Sequence, residues 1–231
     1  FVIKKLSKFD ILNPAVFLVF IRQVYFTGVQ ILPVFTAISF VIGLVFVGVL
    51  TNFLANLNAY EQIGNVLSML IVRELAPLVS VVMLSLRSST AVSAEMSVMN
   101  ILKETDTLKM YNIDITKYLF LPRIMAGLLS MVSLSTFFTV ISIFGGYLLI
   151  SFEMNITIEH MLKLLFDYLT ISDIICFTFK TISFGFLLMA VPIFTSQDIK
   201  SANTEIPISL LKGMMRLFYG IVVVEGLGFL I

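Results

Sequence analysis

Four residues stand where lipid-compatible side chains would be expected: Arg73 and Glu74 in "IVRELAP", Lys180 in "FTFKTISF" and Glu225 in "VVVEGLG". A charge at mid-membrane costs about 2.5–3.5 kcal/mol on insertion scales, so such residues face a protein interior or a polar cavity and pair there. Arg73 and Glu74 are adjacent, which on a helix turns them about 100° apart. The spacing therefore predicts that each finds its partner on another element. Pro77, four residues after Arg73, cannot donate to the Arg73 carbonyl and predicts a kink with a bare carbonyl beside the charges. Such backbone is tolerated at membrane depth only inside protein or along a cavity. Two chemistries fit: an ionic clasp between helices, or the polar lining of a substrate cavity open to the outer leaflet, formed by Arg73, Glu74, Pro77, Lys180 and Glu225.

Helices in a bilayer must position these residues. Of the 231 residues 59% are hydrophobic, 22 are Phe and only 13% are charged, and the mean hydropathy is +1.06. A soluble domain of this length could not bury so much apolar surface, and the long continuous runs are unlike the alternation of a membrane β-barrel. The fold class is thus an all-α polytopic membrane protein. Five segments reach the roughly 20 residues a span needs: about 29–54, 63–87, 120–150, 171–195 and 208–231.

The basic residues orient these spans. Lys4, Lys5, Lys8 and Arg22 precede the first span; Lys103, Lys109, Lys117 and Arg123 lie between the second and third; Lys200, Lys212 and Arg216 lie between the fourth and fifth. Lys163 alone falls on the other side. By the positive-inside rule the N-terminus is cytoplasmic and the C-terminus outside. Glu74, Lys180 and Glu225 then fall in the outer half of the bilayer or near its middle.

Residues 1–28 mix basic and large apolar side chains around the Asn13-Pro14 break and predict a helix lying on the cytoplasmic surface. The segment 151–170, with "EHMLKLLFDYL", predicts a short amphipathic helix on the outer face. From Ile63 to Met99 Pro77 is the one strong helix breaker, and 37 residues of helix would reach about 55 Å. A turn at the cytoplasmic surface near residues 88–95 is therefore expected. Beyond it, the polar stretch 90–110 reads as either a solvated helix or a docking helix for a cytoplasmic partner.

Several chemistries are missing from the sequence. It contains no phosphate-binding G-x-x-x-x-G-K-[ST] loop, no cluster of metal ligands and no paired nucleophile and base. His160 stands alone in the expected outer helix. Cys176, the one cysteine, reads as a small buried hydrophobe. Neither a catalytic site, nor a metal site, nor nucleic-acid binding is expected. Because the chain begins at Phe1, an upstream segment is expected to precede it.

The order "RELAP", "RSSTAVSAEMSVM", "TDTLKMYNID" and "LPRIMAG" resembles the MlaE-type permeases of bacterial ABC phospholipid transporters. The resemblance extends over the whole chain and implies a single permease domain over 1–231 in the bacterial inner membrane. It implies a homodimer of five-span subunits with an N-terminal interfacial helix, C-termini in the periplasm, two cytoplasmic ABC ATPase subunits that supply ATP and Mg chemistry, and an MCE-domain protein on the outer side. The assembly would move phospholipid between inner and outer membranes, and this chain would carry no cofactor of its own. Glu74 matches the family's cavity glutamate and Arg73 its neighbour; Lys180 matches a lysine of the fourth span, and Glu225 stands where relatives can have Asp. Glu95 through Met110 matches the ATPase-docking helix, and the expected docking residues are Arg87, Glu95, Met99, Lys103, Glu104, Asp106 and Leu108. The chain departs from the pattern at Ala76 and Ser88, which replace glycines, at Lys103 in place of Glu, at Ile115 in place of Pro, and in the glycine-free "TSQDIKSANTEIPIS" before the last span. An ion-coupled secondary carrier using the intramembrane carboxylates is the competing reading; the absence of a visible inverted repeat weighs against it.

Overall fold

The computed structural model describes residues 14–56, 63–154, 167–197 and 205–230, together with Glu159 and Lys163. Among the described residues there is no strand, as expected of a bilayer-spanning chain that satisfies its backbone within helices. The elements are α1 (Pro14–Val24), α2 (Leu32–Asn56), the long helix α3 (Asn65–Ile101), α4 (Glu104–Met110), α5 (Leu121–Met154), α6 (Ile171–Ser196) and α7 (Glu205–Gly228). Five helical runs are long and apolar enough to cross a membrane: Val16–Leu54, Asn65–Ile101, Thr116–Leu148, Ile171–Ser196 and Ile206–Gly228.

The first run joins α1 to α2 through the π turn Tyr25–Val29 and extends over 39 residues. At 1.5 Å per residue that is about 58 Å, roughly twice the hydrocarbon thickness, so much of it lies outside or along the bilayer. That length leaves room for the expected surface helix, of which residues 1–13 fall outside the described residues. Phe17, Leu18, Ile21 and Tyr25 are exposed along it.

α3 corrects one expectation. The chain does not turn near residues 88–95 but stays helical to Ile101, and the turn comes at Leu102 and Lys103, where Lys103 takes a left-handed φ of 56°. The length is accommodated by two π-helical stretches, Ser68–Leu75 and Ser85–Ser89. The kink expected at Pro77 takes the same form: Pro77 sits in the first turn of the α-helical segment Ala76–Leu84. Immediately before that segment the bonding widens, and the Ala76 amide donates to the Ile71 carbonyl five residues back. Placing the proline where its missing donor is least needed lets the helix continue without a break.

Small residues set the packing. α2 lies closely along α5; a Cβ at Gly43 would collide with the Ser142 backbone and one at Gly146 with the Val47 side chain, and Ser142 Oγ donates to the Ser39 carbonyl at 3.0 Å. Close backbone approach through small residues is the usual way helices associate where lipid removes the hydrophobic drive. α6 packs between α5 and α7, with Gly185 set against Leu128. The main core, including Phe35, Met96, Phe138, Phe184 and Leu188, lies among these helices.

Much of the outer amphipathic helix expected over 151–170 lies outside the described residues, as does His160. α5 continues to Met154, and Lys163 pairs with Glu159 at 2.9 Å. Of the glycine-free segment before the last span, residues 198–204 lie outside them.

Candidate functional site

Three spans bring the intramembrane charges together. Lys180, on α6, is fully buried, and its Nζ stands 2.5 Å from both Glu74 Oε2 of α3 and Glu225 Oε2 of α7. The sequence expectation that these charges find partners on other helices is met at Glu74, Lys180 and Glu225. Arg73 reaches two ways as well: its Nη1 lies 3.9 Å from Asp173 Oδ1 on α6, and its Nη2 donates to the Gly228 carbonyl of α7 at 3.4 Å. Arg73 Nε also comes within 3.7 Å of Glu74 Oε1. The adjacent pair therefore touches, contrary to the picture of two residues facing apart, because the long flexible side chains reach around the helix toward a shared cluster.

Asp173 escaped the sequence reading. It belongs to the N-terminal capping box of α6: Thr170 Oγ1 accepts from the Asp173 amide and Asp173 Oδ2 accepts from the Thr170 backbone at 3.1 Å. The signal was present in "TISD", where Thr followed by an acid three residues later marks a helix start, but a cap gives no hint of a contact with Arg73. With Asp173 included the network holds two cations, Arg73 and Lys180, against three carboxylates, Glu74, Asp173 and Glu225. Glu225 Oε1 is buried and has no hydrogen-bond partner among the described residues. Cys176 is buried beside the network, as expected, and its thiol donates to the Gly228 carbonyl at 3.3 Å.

Chemically this is an ion network that ties α3, α6 and α7 at one end of the bundle. Glu74 and Glu225 retain side-chain exposures of 30% and 19% against 0% for Lys180, so the carboxylates, not the ammonium, form the accessible rim. Pro77 is buried one turn further along α3.

The other end of α3 is built differently. From Glu74 to Glu95 is 21 residues, about 31 Å of helix. Here a cavity of about 930 Å³ lies between α1, α3, α4 and the start of α5. Of the expected docking residues, Arg87, Glu95, Met99, Glu104 and Leu108 line it, whereas Lys103 and Asp106 do not. Lys103 forms the turn into α4, and Asp106 pairs with Lys109 on its exposed side at 3.1 Å. Arg87 Nη1 donates to the Gln30 carbonyl at 2.8 Å, holding the joint between α1 and α2. Arg123 is buried, donating from Nη2 to Glu95 Oε1 at 2.7 Å and contacting Met96 Sδ through Nη1.

Asn100 was not singled out by sequence. Its Nδ2 donates to the Ser196 carbonyl at the end of α6, and its Oδ1 accepts from Thr105 Oγ1 of α4. One amide thus joins α3, α4 and α6. Among the described residues no cluster of His, Cys, Asp and Glu is arranged to hold a metal ion.

Comparison with known proteins agrees with this architecture. The family described as Permease MlaE matches residues 20–230. A probable ABC transporter permease protein of Rickettsia typhi is 29% identical over 183 residues, covering 79% of this chain and 71% of the relative. The intermembrane phospholipid transport system permease protein MlaE of Haemophilus influenzae is 30% identical over 128 residues, 55% of this chain and 49% of that protein. The chloroplastic protein TRIGALACTOSYLDIACYLGLYCEROL 1 of Arabidopsis thaliana is 26% identical over 171 residues, 74% of this chain and 49% of that protein. The resemblance carried by "RELAP" and the motifs after it is borne out.

Proposed function

Since the chain belongs to the MlaE permease family, we propose that it is the membrane-spanning subunit of an ABC transporter that moves phospholipid between the inner and outer membranes of a bacterium. One observation carries the mechanism: a single helix, α3, bears the buried ion network near one end and runs directly into the turn that sets α4 at the other. A substrate site and a docking helix are thereby mounted on one element.

The network suits a phospholipid headgroup. Its cations, Arg73 and Lys180, are already paired, so an incoming phosphate exchanges one set of ion pairs for another instead of stranding a charge in low dielectric. The half-exposed rim of Glu74 faces any cationic headgroup amine, and the unpartnered Glu225 Oε1 offers a second acceptor. A carboxylate rim around a buried ammonium is a dipolar receptor for a dipolar headgroup.

The remaining assembly follows the same reading. Cytoplasmic ATPase subunits, which carry the ATP and Mg chemistry, dock on the exposed face of α4 around Lys103 and Asp106. A second copy of the chain completes the permease, and an MCE-domain protein receives or delivers lipid on the outer side. The N-terminus faces the cytoplasm and the C-terminus the periplasm.

The test is transport of a fluorescent phospholipid by the complex reconstituted in proteoliposomes. Glu74→Ala combined with Lys180→Ala is expected to cut ATP-dependent transport severely while the purified variant still assembles with its ATPase. Unimpaired transport by the double variant, or wild-type transport with the ATPase removed, would sink the proposal.

A further inference from the structure

The cavity behind α4 is more than a gap left by packing. Two of its lining side chains are at least nine-tenths buried and hold a polar atom with no partner among the described residues: Arg123, 4% exposed, through Nε, and Ser88, 5% exposed, through Oγ. Buried donors of this kind cost free energy unless something satisfies them. The wall also carries Arg22, whose guanidinium sits 5.6 Å above the Phe26 ring, and Arg87. Arg87 spends one of its five N–H groups on Gln30.

The charges in the wall are unbalanced. Three guanidinium groups, Arg22, Arg87 and Arg123, face two carboxylates, Glu95 and Glu104, and Glu95 is already bonded to Arg123. The rest mixes neutral polar side chains, among them Gln23 and Thr27, with apolar and aromatic ones such as Phe26, Val92, Leu119 and Tyr118. A volume of about 930 Å³ is at the upper end of the range for small-molecule sites. It is ample for a phosphoglycerol headgroup with the first part of its acyl chains.

We propose that this cavity binds an anionic phospholipid from the leaflet on the basic side of the membrane, with its phosphate held by Arg22, Ser88 and Arg123. The same helix presents Val19, Arg22, Gln23 and Phe26 to the cavity and the exposed apolar residues Phe17, Leu18, Ile21 and Tyr25 on its other side, a surface that suits lipid contact. Basic pockets between membrane helices on this side are established lipid-headgroup sites in general. A protein segment fits less well if docking uses the exposed face of α4 as proposed above, because Lys103 and Asp106 on that face do not line the cavity, whereas Glu104, Thr107 and Leu108 close it. The lipid would therefore sit on the opposite side of the docking helix from the ATPase, where its presence sets how firmly α4 is held. Its identification with the cytoplasmic leaflet rests on the orientation proposed above; binding itself does not.

The test uses the full chain in nanodiscs of phosphatidylcholine with and without added phosphatidylglycerol, each lipid in turn carrying a photoactivatable headgroup. Adducts are mapped by peptide mass spectrometry. Phosphatidylglycerol is expected to label the peptides spanning Val19–Gln30 and Tyr118–Arg123 well above phosphatidylcholine. Arg22→Gln, at an exposed position that folding does not require, is expected to lower that labelling about fivefold, the effect of one basic residue at an anionic membrane surface. Arg123→Lys retains the charge beside Glu95 but removes the Nε donor, and it too lowers the labelling. Equal labelling by the two lipids, or labelling unchanged in both variants, overturns the proposal. So does labelling that vanishes when the ATPase is added, or cross-links from the cavity to residues 1–13, since either puts a protein segment there. The readout needs no ATP and no transport, so a failure of the transport reading leaves it intact.

Discussion

Lys180 is the residue on which the charge network turns. Its ammonium is fully buried between Glu74 and Glu225, and removing it leaves Glu225 without its cation and Glu74 with only the longer contact to Arg73. Breaking a buried pair from one side costs about 3–5 kcal/mol. Lys180→Met is therefore expected to lower the midpoint of denaturant unfolding sharply, and adding Glu74→Gln and Glu225→Gln to recover most of the loss. A Lys180→Met protein as stable as the parent would show that the pairs contribute nothing. Asp173 carries two duties that separate cleanly by substitution. Asp173→Asn keeps an acceptor for the Thr170 amide and is expected to retain stability, whereas Asp173→Ala leaves the Thr170 cap in place but loses the reciprocal half of the capping box, with a modest fall in stability. Transport tells the other duty apart: both variants remove the charge facing Arg73, so both alter lipid transport alike if that contact matters.

At the scale of elements, the turn into α4 is strained in a way that invites relief. Lys103 holds φ 56° without being glycine, a conformation that costs an ordinary L-residue about 1 kcal/mol or more. Lys103→Gly is expected to raise thermal stability modestly, and a fall would show that the Lys103 side chain is itself needed at the turn. The packing of α2 on α5 gives the opposite sign: Gly43→Leu forces a side chain into the Ser142 backbone and is expected to destabilise by several kcal/mol or block insertion. The spans were legible in the sequence because twenty apolar residues in a row admit few structures, whereas the helical runs Val16–Leu54 and Asn65–Ile101 extend well past the expected 29–54 and 63–87. The course of α3 beyond Arg87 was not. Nothing in "RSSTAVSAEMSVM" announces a π turn, since wide turns respond to packing and to Pro77 more than to local composition. The ion network was half legible: the costly residues Arg73, Glu74, Lys180 and Glu225 declared themselves, while Asp173 was hidden in a capping motif and Asn100 in an ordinary helix end. The cavity could not be read at all, because α1, α3, α4 and α5 close it only in three dimensions.

Across the whole molecule the two ends of α3 differ in kind. One end holds an ion network with one carboxylate in excess inside the bundle, and the other holds a net basic cavity bordered by a helix with an exposed apolar face. That asymmetry follows the distribution of Lys and Arg along the chain, and it fixes which end faces the cytoplasm if the positive-inside rule governs insertion. The prediction is direct because the native thiol is silent: Cys176 is 0% exposed and so leaves no background for a bulky reagent. Lys109→Cys and Lys163→Cys replace exposed lysines, with side-chain exposures of 65% and 68%, on the two sides of the bundle. In intact spheroplasts a membrane-impermeant maleimide is expected to modify Lys163→Cys and to reach Lys109→Cys only after the membrane is permeabilised. The reverse pattern would invert the chain. It would then set the Arg73–Lys180 network toward the cytoplasm and α4 toward the periplasm, where no ATP is available to a docked partner, and the transport reading would fall with the orientation.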